Sequence, residues 1–485
     1  MFNKKFYITT TLPYVNADPH IGFALEMIQA DVIARYHKNL GEEIFFNTGV
    51  DEHGLKIFQK AQENNIDPQA YCDIYAKKFD NLKQALNLSY NNFIRTTDSH
   101  HIEAAQEFWK LCEKNGDIYK KNYKIKYCVG CELEKTDSEL VGGKCPIHPN
   151  REIEIIDEEN YFFKYSKYQK KLLDLYKKNQ SFVIPESKLN EIKQFTEKGL
   201  EDFSVSRLKE KMPWGVPVPG DDKHVMYVWF DALVNYISCL GWPPNSDRAS
   251  LAPKGRARNL FKDFWPGLQV AGKDNLRQQT SMWQAMLMSA GLPNSKQIFI
   301  HGFITANGQK MSKSLGNVIN PFDLVNKYGT DAVRYYLLRE INPVEDGDFS
   351  YEKFEQRYNS DLAGGIGNLV ARTLGISKNG FKETKPTKKI TKAVKDAQKK
   401  YKLAVEGFKF NEALISIWEI IGFCDKYINE EKLWETKSSQ VISDLFFAIK
   451  EIGVLLQPFL PSTAEKIQLA VETKASPNLF PKIVK

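Results

Sequence analysis

The sequence lacks any apolar run long enough to cross a membrane. No stretch approaches the roughly 18 consecutive apolar residues that a transmembrane helix needs. The N-terminal residues MFNKKFYITTT contain two lysines but neither an apolar core nor a small-residue cleavage site, so they are not typical of a secretion signal. Seven cysteines, an odd number in a large chain, argue against a disulfide framework. These absences predict a cytoplasmic protein.

Glycine-rich phosphate loops and a strong net charge are also absent. Neither a P-loop nor GxGxxG opens the first strand–helix unit, which excludes two common nucleotide-binding loops there. The net charge of +7 permits a polyanionic partner without requiring one. We find no internal repeat and no low-complexity tail. The chain has 485 residues, of which 42% are apolar and 26% charged, so it is globular and long enough for two or three domains.

The N-terminal region contains a predicted strand, a loop and a predicted helix. The β-branched and aromatic run Phe6–Thr10 predicts a buried strand, and a helical pattern follows His20-Ile21-Gly22-Phe23. The N-terminus of such a helix presents free N–H groups and partial positive charge, which suit a polyphosphate. A single histidine in a loop is more often structural, so this motif alone is weak evidence.

A second motif, Lys310-Met311-Ser312-Lys313-Ser314, lies about 290 residues further on. It follows a predicted strand, Gln297–Phe303, and a turn at Asn307-Gly308. Two lysines in a loop usually form a solvated surface, but the whole five-residue string is rare by chance.

Further predicted strands alternate with helices. These strands are Glu43–Thr48, Val225–Phe230 and Leu268–Ala271. The alternation predicts an α/β fold with a doubly wound, Rossmann-like parallel sheet, whose ligands lie beyond the carboxyl ends of the strands. Asp51 follows the second strand, where it would either bind the ammonium group of an amino acid or cap the next helix.

Cysteines and a histidine recur at metal-binding spacing within residues 128–148. The pattern is C-x2-C-x13-C-x2-H, formed by Cys128, Cys131, Cys145 and His148. Four such ligands in two short turns are typical of a closed, structural zinc site. A redox pair is the alternative for a C-x2-C motif, but the second half of the pattern favours metal.

The C-terminal part of the sequence changes character. From about residue 355 the apolar pattern is helical, which predicts an all-α bundle after the sheet. Residues 378–402 contain ten lysines against Glu383 and Asp396. This segment is either a solvated linker and helix surface or a contact for phosphates.

Taken together, these motifs resemble class I aminoacyl-tRNA synthetases, and within them the methionyl-tRNA synthetase family. The strings that carry the resemblance run in order along nearly the whole chain: LPYVNADPHIGF, GVDEHG, the cysteine–histidine pattern, YVWFDALVNY, GKD, KMSKSLGN and GIGNLVART. The chain departs from the family's HIGH signature at Phe23. Leucyl, isoleucyl and valyl relatives usually have a large inserted editing domain, for which residues 116–222 leave no room. A cysteinyl enzyme would use zinc to bind its substrate, whereas here the motif takes up all four ligands.

The resemblance implies a domain organisation and a set of site residues. The domains would be the catalytic halves 1–115 and 223–319, the zinc-knuckle insertion 116–222, a stem-contact region 320–354 and an anticodon-binding domain 355–485. Catalytic residues would be His20, Gly22, Lys310 and Lys313. ATP would contact Tyr14, His20, Gly22, Glu26, Gly272, Asp274, His301 and Lys313. Methionine would contact Leu12, Tyr14, Asp51, Trp229, Ala232, Leu233, Tyr236 and Gln279. The anticodon would contact Asn368, Arg372 and Trp434. At Gln279 the family commonly has histidine, so the shape and selectivity of the pocket would differ there.

The implied activity is that of a methionine–tRNA ligase, which forms AMP. Its partners would be L-methionine, ATP with Mg²⁺, and initiator and elongator tRNA(Met), and its cofactor one structural Zn²⁺. A monomer is expected, because no C-terminal dimerisation domain follows the bundle. A nucleotidyltransferase shares the HxGH turn but needs neither the knuckle nor the bundle. A tRNA-binding paralogue without chemistry would not need intact His20, Gly22 and KMSKS.

Overall fold

The computed structural model describes residues 4–131, 133–135, 137–244, 260–311, 316–378 and 380–484. Its strands, numbered in chain order, are β1 Lys5–Thr10, β2 Glu43–Val50, β3 Asn92–Arg95, β4 Ile118–Cys128, β5 Leu133–Lys135, β6 Glu154–Phe163, β7 Val183–Ile184, β8 Phe203–Ser204, β9 Ser206–Leu208, β10 Pro217–Val218, β11 Asp221–Met226, β12 Leu268–Gly272, β13 Gln297–His301, β14 Ile304–Ala306, β15 Gln309–Lys310 and β16 Gly347–Phe349.

The α-helices, likewise in chain order, are α1 Ile21–Asn39, α2 Leu55–Glu63, α3 Pro68–Asp80, α4 Leu82–Ala85, α5 Ser99–Lys114, α6 Gln169–Lys178, α7 Glu186–Glu197, α8 Val228–Leu233, α9 Asn235–Ser238, α10 Leu260–Phe264, α11 Trp283–Ser289, α12 Pro321–Tyr328, α13 Thr330–Arg339, α14 Tyr351–Arg357, α15 Asn368–Ser377, α16 Lys388–Glu406, α17 Phe410–Glu430, α18 Leu433–Thr436, α19 Ser439–Leu456 and α20 Pro461–Thr473. Two wider π-helical segments, Gln278–Met282 and Tyr358–Gly367, precede α11 and α15.

Six parallel strands form the central sheet in the order β3-β2-β1-β12-β13-β7. Ile8 in the middle of β1 pairs with Phe46 on one side and Leu268 on the other. These strands are apolar because helices cover both faces of the sheet. All their carboxyl ends meet at one edge, where α/β proteins bind ligands. The predicted Rossmann-like sheet is thereby confirmed.

Two strands of this sheet were not evident from the sequence. The strand β3 is only four residues long and begins and ends in polar residues, so the helical pattern around it hides it. The strand β7 lies within residues 116–222 and has two residues, yet it pairs in parallel with β13 at Ile298 and Phe299. The part of the chain predicted as an insertion therefore contributes the sixth strand.

The other strands of residues 116–226 form antiparallel sheets, and this region also contains the helices α6 and α7. The long strands β4 and β6 pair over ten residues and carry β5 and β8 on their outer edges. The cysteine–histidine pattern lies at the far end of this hairpin. The strand predicted over Val225–Phe230 is wrong in its second half: β11 ends at Met226 and helix α8 begins at Val228. Trp229 is therefore helical, because the chain turns into a helix as soon as β11 leaves its small sheet.

The C-terminal helices pack directly onto the sheet domain. Arg334 in α13 is fully buried, pairs with Asp31 of α1 at 2.7 Å and donates to the main-chain oxygens of Pro458 and Phe459. One hydrophobic core runs from β1 and α1 into α17 and α19. The predicted helical bundle is confirmed, and it shares its core with the sheet domain. Within the described ranges, no helix combines the length and apolarity that crossing a membrane requires.

Candidate active site

The N-terminus of α1 is built around His20. Its ring caps the helix, with Nδ1 accepting a hydrogen bond from the Gly22 N–H at 3.0 Å. Burial lowers the pKa of His20 to about 4, so the ring is neutral near pH 7. Since Nδ1 accepts, the proton is on Nε2, which can donate to a ligand. A side chain at position 22 would lie 2.8 Å from the His20 ring, which explains the glycine.

Phe23, where the family signature has histidine, packs on this ring. The centroids of His20 and Phe23 are 4.3 Å apart, and Phe23 also packs edge-on against Phe79 at 5.5 Å. An aromatic ring at this position fills space and holds the His20 ring in place. The departure from the signature therefore removes a hydrogen-bonding group from position 23, while His20 still caps α1.

Glu26, one turn further along α1, forms a buried pair with His301. Its carboxylate accepts from the Thr11 N–H at 2.8 Å, from the Thr11 hydroxyl at 2.6 Å and from His301 Nε2 at 2.8 Å. The other ring nitrogen of His301 faces the Gly302 carbonyl at 2.7 Å. Burial opposes charge on the ring, but Glu26 outweighs it and raises the pKa of His301. Both nitrogens therefore act as donors, as in an imidazolium.

Gly272 and Asp274 lie against the same pair. A Cβ atom on Gly272 would come within 2.8 Å of the Asp274 carboxylate and 3.6 Å of the His301 ring. Burial and the negative charge of Glu26 raise the pKa of Asp274. The ends of β12 and β13 thus place the His301 cation and the acidic side chain of Asp274 beside Glu26 in the N-terminal part of α1.

Asp51 follows β2 at the same edge of the sheet. Its main chain bonds to the loop after β1: the Asp51 N–H donates to Pro13 O at 3.0 Å, and Val15 N–H donates to Asp51 O at 3.3 Å. The side chain is 3% exposed. The loops after β1 and β2 are therefore joined, and they hold a buried carboxylate close to Tyr14.

Aromatic side chains lie near Asp51. Tyr14 meets Trp229 edge-on with centroids 6.5 Å apart. Leu12, Leu233 and Tyr236 belong to one hydrophobic cluster, and Ala232 is 6% exposed. Burial, together with the charges of Glu26 and Asp51, raises the pKa of Tyr236. The Tyr236 hydroxyl accepts a hydrogen bond from Gln279 Nε2 at 2.6 Å.

Sequence reasoning missed a buried histidine–aspartate–histidine cluster behind this pocket. Asp231 Oδ2 lies 2.9 Å from His53 Nδ1, and its Oδ1 lies 3.4 Å from His101 Nε2. Burial opposes charge on Asp231, but the two histidines hold its pKa below the ordinary value. The cluster ties the loop that carries Asp51 to the helix that carries Trp229. The available signal was a histidine two residues after Asp51 and an acidic residue inside an apolar run.

The KMSKS motif begins at the end of β15. Lys310 is exposed. Its positive charge interacts electrostatically with the Asp274 carboxyl group and with the His148 ring. Ile319, just after the motif, accepts a hydrogen bond from the Ile21 N–H at 3.0 Å. This bond ties the segment that follows the motif to the first turn of α1. Lys313 lies outside the described residues.

Cys128, Cys131, Cys145 and His148 come together at the tip of the β4–β6 hairpin. One donor atom from each lies within 4.8 Å of the others. Cys131 Sγ is 3.5 Å from Cys145 Sγ and 3.2 Å from His148 Nδ1. These separations and the donor set fit a tetrahedral zinc ion, whose bonds to sulfur and nitrogen are about 2.3 and 2.0 Å long. A Cβ on Gly130 would lie 2.5 Å from the His148 ring, so the knuckle needs glycine there.

The predicted anticodon residues lie in the helical bundle. Asn368 is exposed at the start of α15, and Arg372 one turn later donates to Asn429 on α17 at 3.4 Å. Trp434 is in the short helix α18 that follows α17, with 49% of its surface exposed. Its neighbour Leu433 is fully buried and anchors that helix. Trp434 is therefore not a core residue, and its ring is available for contact.

This arrangement defines a class of protein. A neutral histidine at the N-terminus of the first helix, beside the carboxyl edge of a parallel sheet and in a helix bonded to the segment that follows KMSKS, is the architecture of a class I aminoacyl-tRNA synthetase. A family model described as "tRNA synthetases class I (M)" matches residues 6–152 and 148–374. A second, described as "Anticodon-binding domain of tRNA ligase", matches residues 387–481.

Comparison with individual proteins identifies the family within this class. The methionine–tRNA ligase of Thermotoga maritima is 40% identical over 98% of this chain and 76% of its own length. That of Thermosynechococcus vestitus is also 40% identical, over 99% of this chain and 93% of its own. The Mycobacterium tuberculosis methionyl-tRNA synthetase in complex with methionyl-adenylate has a TM-score of 0.89 and 35% identity, covering 96% of this chain and 93% of that one. The chain belongs to the methionyl-tRNA synthetase family.

Proposed function

We propose that the chain activates L-methionine with ATP and transfers it to the 3′ end of tRNA(Met), as a methionine–tRNA ligase. The main support for this proposal is the set of residues at the carboxyl edge of the sheet. There a neutral histidine at a helix N-terminus, a buried carboxylate and an aromatic pocket lie together in a chain of this family. We propose further that it acts as a cytoplasmic monomer.

ATP would bind along the first turn of α1 and the ends of β12 and β13. The Nε2–H of His20 and the free N–H groups of the helix would donate to the phosphates. Gly22 keeps that approach open. Tyr14, Glu26, Gly272, Asp274 and His301 would surround the nucleotide, with the His301 cation near its negative charge. Lys310 and, by the resemblance, Lys313 would add charge as the transition state forms.

Methionine would lie between Asp51 and the aromatic residues. The Asp51 carboxylate would pair with its ammonium group. Its side chain would enter the pocket lined by Leu12, Tyr14, Trp229, Ala232, Leu233, Tyr236 and Gln279. An apolar, aromatic lining suits a thioether, because sulfur is polarizable and packs well on rings.

The chemistry needs no side-chain nucleophile. A carboxylate oxygen of methionine attacks the α-phosphorus of ATP, the bond from that phosphorus to the β-bridging oxygen breaks, and pyrophosphate leaves with the electron pair. A hydroxyl of the terminal adenosine of tRNA then attacks the carbonyl carbon and gives up its proton to solvent. The bond from that carbon to the phosphate oxygen breaks, and AMP leaves with the electron pair. The protein contributes position and charge stabilisation. ATP would enter with Mg²⁺, which neutralises part of the phosphate charge.

The zinc ion would be structural. All four ligands of a tetrahedral site would come from Cys128, Cys131, Cys145 and His148. No coordination position of the ion would then be open to a substrate. The ion would hold together a hairpin tip that has little core of its own.

The bundle would bind initiator and elongator tRNA(Met). Trp434 would stack on an anticodon base, and Asn368 and Arg372 would hydrogen-bond to base edges. Asn368 and Trp434 are exposed, and Arg372 contacts Asn429 near the end of α17, five residues before Trp434, which supports this. The lysines of α16 would add phosphate contacts.

Methionine-dependent ATP–pyrophosphate exchange tests the proposal. A methionine–tRNA ligase exchanges label between pyrophosphate and ATP when methionine is present, without tRNA. A nucleotidyltransferase would show no dependence on methionine, and a tRNA-binding paralogue would show no exchange. Aminoacylation of tRNA(Met) with methionine, against other amino acids as controls, completes the test.

A further inference from the structure

A chain of buried polar side chains lies behind Tyr236. Its members are Gln284, Ser295, Gln269 and Gln279, and none of them is more than 5% exposed. Buried amides must satisfy both their donors and their acceptors, so such a chain fixes which way each bond runs.

Main-chain groups set the direction of the hydrogen bonds at the Gln284 end of this series. The Ser295 N–H donates to Gln284 Oε1 at 3.1 Å, so that atom is an acceptor. The amide nitrogen of Gln284 then donates to the main-chain oxygen of Gln279 at 2.8 Å. Main-chain N–H and C=O groups cannot exchange roles, so the Gln284 amide has one orientation.

The orientation of Gln284 then sets the direction of the next two hydrogen bonds. Gln284 Nε2 also donates to the Ser295 hydroxyl at 3.0 Å, and that hydroxyl donates to Gln269 Oε1 at 2.6 Å. The nitrogen of Gln269 therefore faces Gln279, and donates to its Oε1 at 3.3 Å.

The last bond reaches the pocket. With its Oε1 occupied, Gln279 points Nε2 at the Tyr236 hydroxyl and donates to it at 2.6 Å. This bond uses an oxygen lone pair of Tyr236, and the Asn235 side chain is a second hydrogen-bond partner that, like Gln279, lowers the pKa of the hydroxyl, as a donor to its oxygen does. The hydroxyl proton is left to point elsewhere.

We propose that Ser295 and Gln269 are positioning residues that select for the sulfur of the substrate. By fixing the Gln279 amide they make Tyr236 accept from it, which leaves the Tyr236 proton for the thioether. If the amide were to turn over, its oxygen would face Tyr236 and take that proton. The inference rests on the proposed methionine pocket.

Sulfur and methylene differ in what the proton can do. A thioether sulfur is a weak hydrogen-bond acceptor, whereas a methylene group accepts nothing. Norleucine has a methylene in place of the sulfur and almost the same shape. The ratio of kcat/KM for methionine to that for norleucine therefore measures the contribution of a hydrogen bond from the Tyr236 hydroxyl to the substrate sulfur.

The experiment is ATP–pyrophosphate exchange with each amino acid. Ser295→Ala should lower the methionine-to-norleucine ratio by about 3- to 10-fold, the worth of one hydrogen bond between neutral groups. The KM for ATP should stay unchanged. Ser289→Ala is the matched control, because Ser289 is 2% exposed and donates to Asp117 at 2.9 Å, outside this chain. It should leave the ratio unchanged.

A double-mutant cycle with Tyr236→Phe separates this role from packing. If Ser295 acts through the tyrosine hydroxyl, Ser295→Ala should leave the ratio of the Tyr236→Phe enzyme unchanged. A fall in both backgrounds, or no fall in the wild-type background, would overturn the proposal. If Ser295→Ala does not fold, Gln269→Met breaks the next link and is judged by the same criteria. Wild-type protein without methionine-dependent exchange would instead refute the proposed function.

Discussion

At the scale of single residues, the contact between His20 and Gly22 shows how little space the proposed phosphate site leaves for a side chain at position 22. His20 is held by its own bond to the Gly22 N–H and by the ring of Phe23. The burial that fixes the ring also keeps it neutral, so in the proposed function it would act on phosphate as a hydrogen-bond donor and not as a charge. A change beside the ring should therefore act through its position.

Gly22→Ala should lower kcat for methionine-dependent ATP–pyrophosphate exchange by roughly 10²-fold, as for the loss of one transition-state donor. The new methyl group would lie 2.8 Å from the His20 ring and would push it aside. Gly422→Ala is the control, because nothing lies within 4 Å of its added methyl group. Wild-type turnover by Gly22→Ala would show that His20 does not act on ATP.

His301 gives a prediction about pH. Its pKa is raised in the folded protein, so its pairing with Glu26 stabilises the fold fully below the unfolded pKa of about 6.5. That contribution is lost as the pH rises through the raised pKa. His301→Gln should therefore cost about 2 kcal/mol of unfolding free energy at acidic pH and less at alkaline pH. Urea unfolding of both proteins at several pH values measures this.

His37 is the control for that series. Burial lowers its pKa in the folded state, so its effect on stability has the opposite sign: it costs stability as the pH falls. The difference between wild type and His37→Gln should not shrink as the pH rises. An equal loss for His301→Gln at every pH would mean that folding does not shift the pKa of His301.

At the scale of elements, the cysteine–histidine cluster was the most predictable part. Its spacing alone named the four residues that the structure brings together, because such a cluster depends on a few side chains close together in sequence. The strands β3 and β7 could not be predicted, since two to four residues carry too little periodicity to compete with the helices around them. The cluster of His53, Asp231 and His101 could not be predicted for another reason. Asp231 is 178 residues from His53 and 130 residues from His101 in the sequence.

The knuckle should hold about one equivalent of zinc per chain. Cys131→Ser should lower the zinc content and the melting temperature, because the hairpin tip loses the ion that closes it. Exchange activity should fall only as far as the fold is loosened, since the ligands are not among the residues placed at the nucleotide. Elemental analysis and thermal unfolding check this.

Cys424→Ser makes the same chemical change in the buried core of the bundle. It should leave the zinc content unchanged. Zinc-free wild-type protein with full stability and activity would refute the structural role of the metal.

At the scale of the whole molecule, the sheet domain and the bundle are packed as one body. The buried pair of Arg334 and Asp31 and the shared core join α13 and α1. The bundle therefore presents Trp434 at a fixed place relative to the active site. The sequence predicted the bundle from its helical periodicity, but this shared core depends on contacts between residues more than 100 positions apart.

Trp434→Ala separates the two steps of the reaction. Stacking on an unpaired base is worth about 1–3 kcal/mol, so aminoacylation of tRNA(Met) should weaken by roughly 10- to 100-fold. Methionine-dependent ATP–pyrophosphate exchange should be nearly unchanged, because that step needs no tRNA. Leu469→Ala, which removes another exposed apolar side chain from the same bundle, is the control and should alter neither. Since Trp434 is half-exposed, the melting temperature should also hold; a parallel fall in both activities and in stability would mean that the ring supports the fold and not the anticodon.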